Sequence, residues 1–132
     1  MDYSGIILKN KDNKFLLQLR DNKKNIANPN KWVIFGGGLK KRENPLAGVI
    51  REIKEELNLN LKKNDLALIA KIPTPIGKYH IYRAELKADL SSLRLNEGSE
   101  MKLFSKKEII RTKNVFLPVK IFFILSFIWK KS

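Results

Sequence analysis

Four glutamates, an arginine and a run of glycines stand within one short stretch of this chain at spacings suited to holding a cation. The stretch opens on Gly36-Gly37-Gly38, places five residues between Gly37 and Glu43, and after seven more gives Arg51-Glu52-Ile53-Lys54-Glu55-Glu56. A helix from Pro45 to Leu57 turns ~100° per residue, so with Glu52 at zero Glu56 falls at ~40° and Glu55 at ~−60°. The three carboxylates then share one arc. Like charges three and four residues apart repel one another and weaken a helix. A cation on that arc removes the penalty, and all-oxygen donors suit hard Mg²⁺ or Mn²⁺.

The rest of the wheel supports the same helix. Val49, Ile53, Leu46, Leu57 and Ile50 fall between ~60° and ~160°, a stripe that faces a core. Asn44 before Pro45 provides an N-cap and a first-turn proline. Asn58 tolerates the left-handed conformation that ends a helix. Arg51 lies beside the acidic arc, spaced to pair with Glu43 and tie the glycine run to the helix; a partly buried bidentate pair fixes geometry where a surface pair does little. Three helical glutamates are ordinarily a solvated face. Here the chain is otherwise basic, with 27 lysines and arginines against 13 acids, and the acids gather beside glycines. A cation site is the better reading.

The segment from Gly37 to Leu59 resembles the Nudix box, in which a glycine, a glutamate and the run Arg-Glu-U-x-Glu-Glu-x-Gly-U recur, U being bulky and apolar. Gly37, Glu43, Arg51, Glu52, Ile53, Glu55, Glu56 and Leu59 match, and Asn58 replaces the last glycine. Upstream, Trp32-Val33-Ile34-Phe35-Gly36-Gly37 resembles the family's Trp-x-x-Pro-Gly-Gly, with Phe35 where proline is usual. The resemblance implies an α/β/α sandwich with a mixed β-sheet, and a metal-dependent hydrolase of pyrophosphate bonds. It implies that Glu52, Glu55 and Glu56, with the main-chain carbonyl of Gly37, hold Mg²⁺ or Mn²⁺. It implies a catalytic set of Glu55, Glu56, Arg51 and a loop glutamate before a late strand, for which Glu97 is the first candidate and Glu100 the second. An ordinary acidic turn is the other reading of that loop.

The implied substrate is a nucleoside diphosphate linked to another group, nucleoside triphosphates included. Other polyphosphates, such as diphosphoinositols or capped RNA ends, form a second reading, and a non-catalytic binding or regulatory module of the same fold a third. Trp32, Phe35 and Tyr82 either stack a nucleobase or fill the core, and core packing is the commoner role for such residues. The lone His80, in a strand-like run, is read as structural.

Composition agrees with a single domain over residues 1–132. The chain is 43% apolar, enough to close one core and hardly two. It has no cysteine, which removes disulfides and thiolate metal sites and permits a reducing cytoplasm, the expected location. Met1 to Gly5 lack the basic start and apolar core of a signal peptide. The formal charge of +14 invites a nucleic-acid reading. The lysines are scattered rather than gathered in a stripe, so sequence-specific nucleic-acid binding is not expected. The field still draws anionic nucleotides or polyphosphates.

Strands are expected over Tyr3–Leu8, Phe15–Arg20, Lys31–Phe35, Leu66–Lys71, Tyr79–Leu86 and Met101–Phe104, with a turn over Pro73–Gly77. Gly36–Gly38 is expected as a loop. Ser105 to Glu108 forms a capping box that opens a helix, and Pro118 opens a last helix toward Trp129. The stretch Val115–Trp129 is nearly all apolar, yet shorter than the ~20 residues that span a bilayer. Part of it is expected to pack on the sheet and part to meet a second copy in a homodimer, in preference to a membrane surface.

Overall fold

A computed structural model of the chain describes residues 1–22, 29–96 and 98–125. Alternation of buried side chains on the first strand organises the molecule. β1 spans Tyr3–Lys9; Ile6 and Leu8 enter one apolar cluster, while Ile7 between them enters another. A strand that buries both faces needs cover on both sides. The remaining elements provide it.

β2 (Phe15–Leu19), β3 (Trp32–Val33), β4 (Phe35–Gly38), β5 (Ala67–Thr74), β6 (Gly77–Glu85) and β7 (Glu100–Phe104) join β1 in one sheet. β1 and β6 run parallel over Tyr3↔Tyr79 to Lys9↔Glu85, and the other pairs are antiparallel. The sheet is therefore mixed. β1 meets β2 only at Lys9↔Phe15, whereas β4 takes the same side of β1 from Tyr3↔Gly38 to Ile6↔Phe35. β2 and β4 thus diverge and leave a cleft.

Helix α1 (Pro45–Leu57) covers one face, with Val49, Ile53 and Leu57 buried against Ile6, Leu8, Phe35 and Tyr82. α2 (Lys106–Arg111) and α3 (Leu117–Leu125) cover the other, where Ile109, Val119 and Phe123 meet Phe15, Trp32 and Phe104. The result is the expected α/β/α sandwich.

Local chemistry explains the boundaries. Asn44 accepts from the Leu46 and Ala47 amides to start α1, and Asn58 ends it at φ 56°. Ser105 and Glu108 cap α2 reciprocally, as their spacing predicts.

Three expectations need correction. The segment expected as one strand over Lys31–Phe35 is two strands, β3 and β4. The glycines Gly36–Gly38 are not a loop but part of β4, because Gly36 at φ 141° runs so close to β1 that an added Cβ would stand 2.2 Å from the Ser4 carbonyl oxygen. The Pro73–Gly77 turn is narrower, since β5 extends through Thr74 and pairs Pro73 with Lys78. An edge strand tolerates the missing proline N–H, and β5 lies at the sheet edge. The last helix is described to Leu125; the portion toward Trp129 lies outside the described residues.

Candidate active site

α1 turns its acidic arc toward β4, and the two elements pack together. Glu56, at the apolar border of the arc, is only 3% exposed, and its Oε1 accepts from the Gly36 amide at 3.1 Å. Glu52 stands beside Gly37: a Cβ there would lie 2.8 Å from its carboxylate. Glycine at that position leaves the space the acid occupies. Glu55 stands further out, its side chain 56% exposed.

Arg51 binds this arrangement together. Its Nε and Nη2 donate to Glu43 at 2.7 and 2.9 Å, a two-pronged grip. Its Nη1 donates to Glu52 at 3.1 Å and to Glu55 at 3.2 Å. Nη2 also reaches the Gly38 carbonyl at 3.4 Å. Glu43 accepts from the Lys40 amide as well. The Arg51 bond, then the Lys40 amide, hold the Glu43 carboxyl down at about 2. The same pairing raises the Arg51 guanidinium well above its usual value.

The far end of α1 is capped from a distant segment. The last four carbonyls of a helix lack partners within it. Here Lys54 O receives the Asn58 amide at 2.9 Å. Asn96 supplies its side-chain amide to Glu55 O at 2.8 Å and its main-chain amide to Glu56 O at 2.9 Å. Arg94 supplies its amide to Leu57 O at 3.2 Å. The stretch leading into the candidate loop acids is therefore fastened to the residues that carry Glu55 and Glu56. Glu97 itself lies outside the described residues. Glu100 opens β7, is exposed, and pairs in register with Leu19.

A cleft of about 410 Å³ opens where β2 and β4 diverge. Gly36 and Gly37 lie on its wall, which joins it to the acidic arc. Tyr3 and Tyr79, register partners on β1 and β6, stack on one another in its wall with ring centres 5.8 Å apart. Burial pushes the Tyr79 phenol above its usual value, and the negative charge of Glu56 pushes it the same way. Ile72, Phe116 and Phe122 extend the apolar lining, and Gln18 and Arg20 bring polar groups to it.

The residues named from the sequence as base-stacking candidates are placed in the core instead of the cleft. Phe35 is 0% exposed, and Trp32 and Tyr82 are buried; Trp32 packs edge-on against Phe104. These packing contacts account for all three without a ligand. His80 is buried too, with Nδ1 3.2 Å from the Tyr3 carbonyl oxygen. What sequence reasoning passed over is the cleft lining. Gln18 offered a signal, as the one polar residue in the apolar strand Phe15–Leu19.

The donors fit a hard divalent ion, being oxygens alone. One guanidinium pairs with Glu43, Glu52 and Glu55 together. Among the described residues no three acidic, imidazole or thiolate groups stand close enough together to enclose an ion. Arg51 explains this on the outer side, because it holds Glu52 and Glu55 for itself. An ion here would compete with Arg51 for Glu55.

No helix among the described residues is long and apolar enough to cross a membrane. No curated protein matches the chain. Among solved structures it is similar to the MutT protein of Methanosarcina mazei Go1, at 20% identity over 94% of this chain and 90% of that one, with a TM-score of 0.80. It is similar to a NUDIX-family hydrolase of Clostridium perfringens, at 21% identity over 93% and 92% of the two chains, with a TM-score of 0.70. A C. elegans Ap4A hydrolase is similar at 19% identity over 92% of each chain, with a TM-score of 0.65. At these identities the likeness is one of fold. Residues 2–121 match the NUDIX domain itself. The chain therefore belongs to the NUDIX domain family.

Proposed function

We propose that the chain hydrolyses the pyrophosphate bond of a nucleoside diphosphate linked to another group, nucleoside triphosphates included, with Mg²⁺ or Mn²⁺ as cofactor. The observation that carries this reading is Glu56: a nearly buried carboxylate, tied to the Gly36 amide, where the acidic arc meets an apolar cleft.

Glu52, Glu55 and Glu56 would hold the ion, with the Gly37 carbonyl as the resemblance implies. When bound, a divalent ion neutralises the charge that repels an attacking hydroxide and lowers the pKa of water. The chain does the rest. Arg51 and Glu43 keep the glycine strand and the acidic arc at one separation. Arg94 and Asn96 keep the helix end against the loop before β7. Glu97 of that loop, or alternatively Glu100 at the start of β7, accepts the proton of the attacking water. The apolar cleft excludes water from the organic part of the substrate, and the Tyr3–Tyr79 pair offers planar faces to a base.

That lining favours a nucleoside over bare polyphosphates and diphosphoinositols; the charge of +14 is the support for those and for capped RNA ends. A cytoplasmic setting fits both a nucleotide substrate and a cysteine-free chain. The reading also includes a second copy over the outer face of α3, where Leu117, Ile121 and Ile124 are exposed. A panel of nucleoside diphosphate derivatives and triphosphates, assayed with Mg²⁺ and Mn²⁺ for release of phosphate or monophosphate, tests the proposal. Turnover without added divalent ion, or none on any member of the panel, would sink it.

A further inference from the structure

Gln18 is 1% exposed, and its Oε1 has no hydrogen-bond partner among the described residues. A buried acceptor left in that state costs about 1–3 kcal/mol. Such groups are rare in folded proteins and ask for an explanation. Gln18 lies on the wall of the cleft, two residues before Arg20 and close to the glycine strand. Gly98 stands close against it: a Cβ there would lie 2.9 Å from Oε1, so a side chain at that position would crowd the amide. Its register partners are Val33 and Met101, whose side chains are apolar and offer no hydrogen bond. The carboxamide oxygen is thus buried and unsatisfied, in a side chain on the wall of the space a substrate would fill.

We propose that Gln18 is a specificity-determining residue that accepts a hydrogen bond from a donor on the nucleoside part of the substrate. This rests on the functional reading above. The donor is an N–H of the base or a hydroxyl of the sugar. Phosphate oxygens, which only accept at neutral pH, do not satisfy Oε1. A site built around such an acceptor rejects a ligand lacking the donor, because binding then buries the unpaired group more completely.

The test compares wild type with Gln18→Met, which keeps the length and removes the polar atoms. Both are assayed on ribonucleoside and 2′-deoxyribonucleoside triphosphates, each with adenine compared with unsubstituted purine, which lacks the amino N–H. Wild type is expected to prefer the donor-carrying member of one of these pairs by about tenfold or more in kcat/KM, and Gln18→Met to lose that preference. The pair that responds identifies the sugar or the base as the source. The variant's thermal midpoint should stay equal or rise, since an unsatisfied buried group has been removed. In the unsubstituted protein, the Gln18 side-chain amide resonance should move on titration with a nucleoside triphosphate and stay put with inorganic triphosphate. Equal preference in both proteins, or an amide that answers inorganic triphosphate just as strongly, overturns the assignment of Gln18 alone. A wild type that cleaves no nucleotide takes down the functional reading, and this inference with it.

Discussion

Arg51 grips Glu43 across eight positions of chain, Nε to Oε2 at 2.7 Å and Nη2 to Oε1 at 2.9 Å, while its third nitrogen holds Glu52. Glu43 precedes α1 and Arg51 lies within it, so the pair fastens the end of the glycine segment to the helix that bears the acids. Both side chains are mostly buried. The shielding makes this pair more consequential than an exposed one.

Arg51→Ala and Glu43→Ala should lower activity to a similar degree, with no further loss when combined. Residues that act as one unit show this non-additivity in a double-mutant cycle. Steady-state rates of the four proteins measure it. Fully additive losses would mean that the two residues work separately.

Stability should fall in acid with a recognisable contribution from Glu43. Its folded pKa is lowered to about 2 from an ordinary 4.5, chiefly by the bond from Arg51. A depressed carboxylate stabilises the fold above its unfolded pKa, and that contribution disappears as pH falls through the folded one. The window therefore runs from 4.5 down to about 2. Denaturant titrations across this range should show a steeper loss for wild type than for Glu43→Gln; identical slopes would contradict the assignment.

Gly37→Ala separates placement from stability. The added methyl would meet the Glu52 carboxylate at 2.8 Å and push it away. Misplacing a catalytic group by about 1 Å lowers rates by roughly 10²-fold, and the thermal midpoint should change little. Gly36→Ala should instead unfold the protein more readily, because its Cβ would run into the Ser4 carbonyl at a positive φ. Equal thermal losses in the two variants would count against the distinction.

Much of this was legible along the chain. The N-cap Asn44, the left-handed Asn58, the acidic arc and the Arg51–Glu43 pair are local, with all the partners within one short stretch, and helical periodicity locates them. The burial of Glu56 follows from its place at the apolar edge of the wheel. What escaped depends on distant chain. The glycines become a strand only because β1 comes alongside. Asn96 caps α1 from 41 residues away. The cleft exists because β2 and β4 part company on one side of β1, which no window of sequence contains.

The outer face of α3 should govern association. Val119 and Phe123 pack on the sheet, while Leu117, Ile121 and Ile124 are exposed. Light scattering should report a dimer for wild type, and Ile121→Lys with Ile124→Lys should shift it to a monomer that still cleaves substrate. A wild-type monomer indifferent to anionic vesicles would show that this face has no such role.

Hydrolysis should depend on a divalent ion held at the Glu52–Glu55–Glu56 arc. Single-turnover cleavage of the best nucleotide from the panel, with and without Mg²⁺, in wild type and Glu56→Gln tests it most directly. Glutamine keeps the acceptor for the Gly36 amide, so the fold should remain intact while one charged ligand is lost. The rate should fall by roughly three orders of magnitude, with Glu52→Gln similar and the more exposed Glu55→Gln milder. Near-normal cleavage by Glu56→Gln, or full wild-type cleavage in the presence of a chelator, would contradict the account.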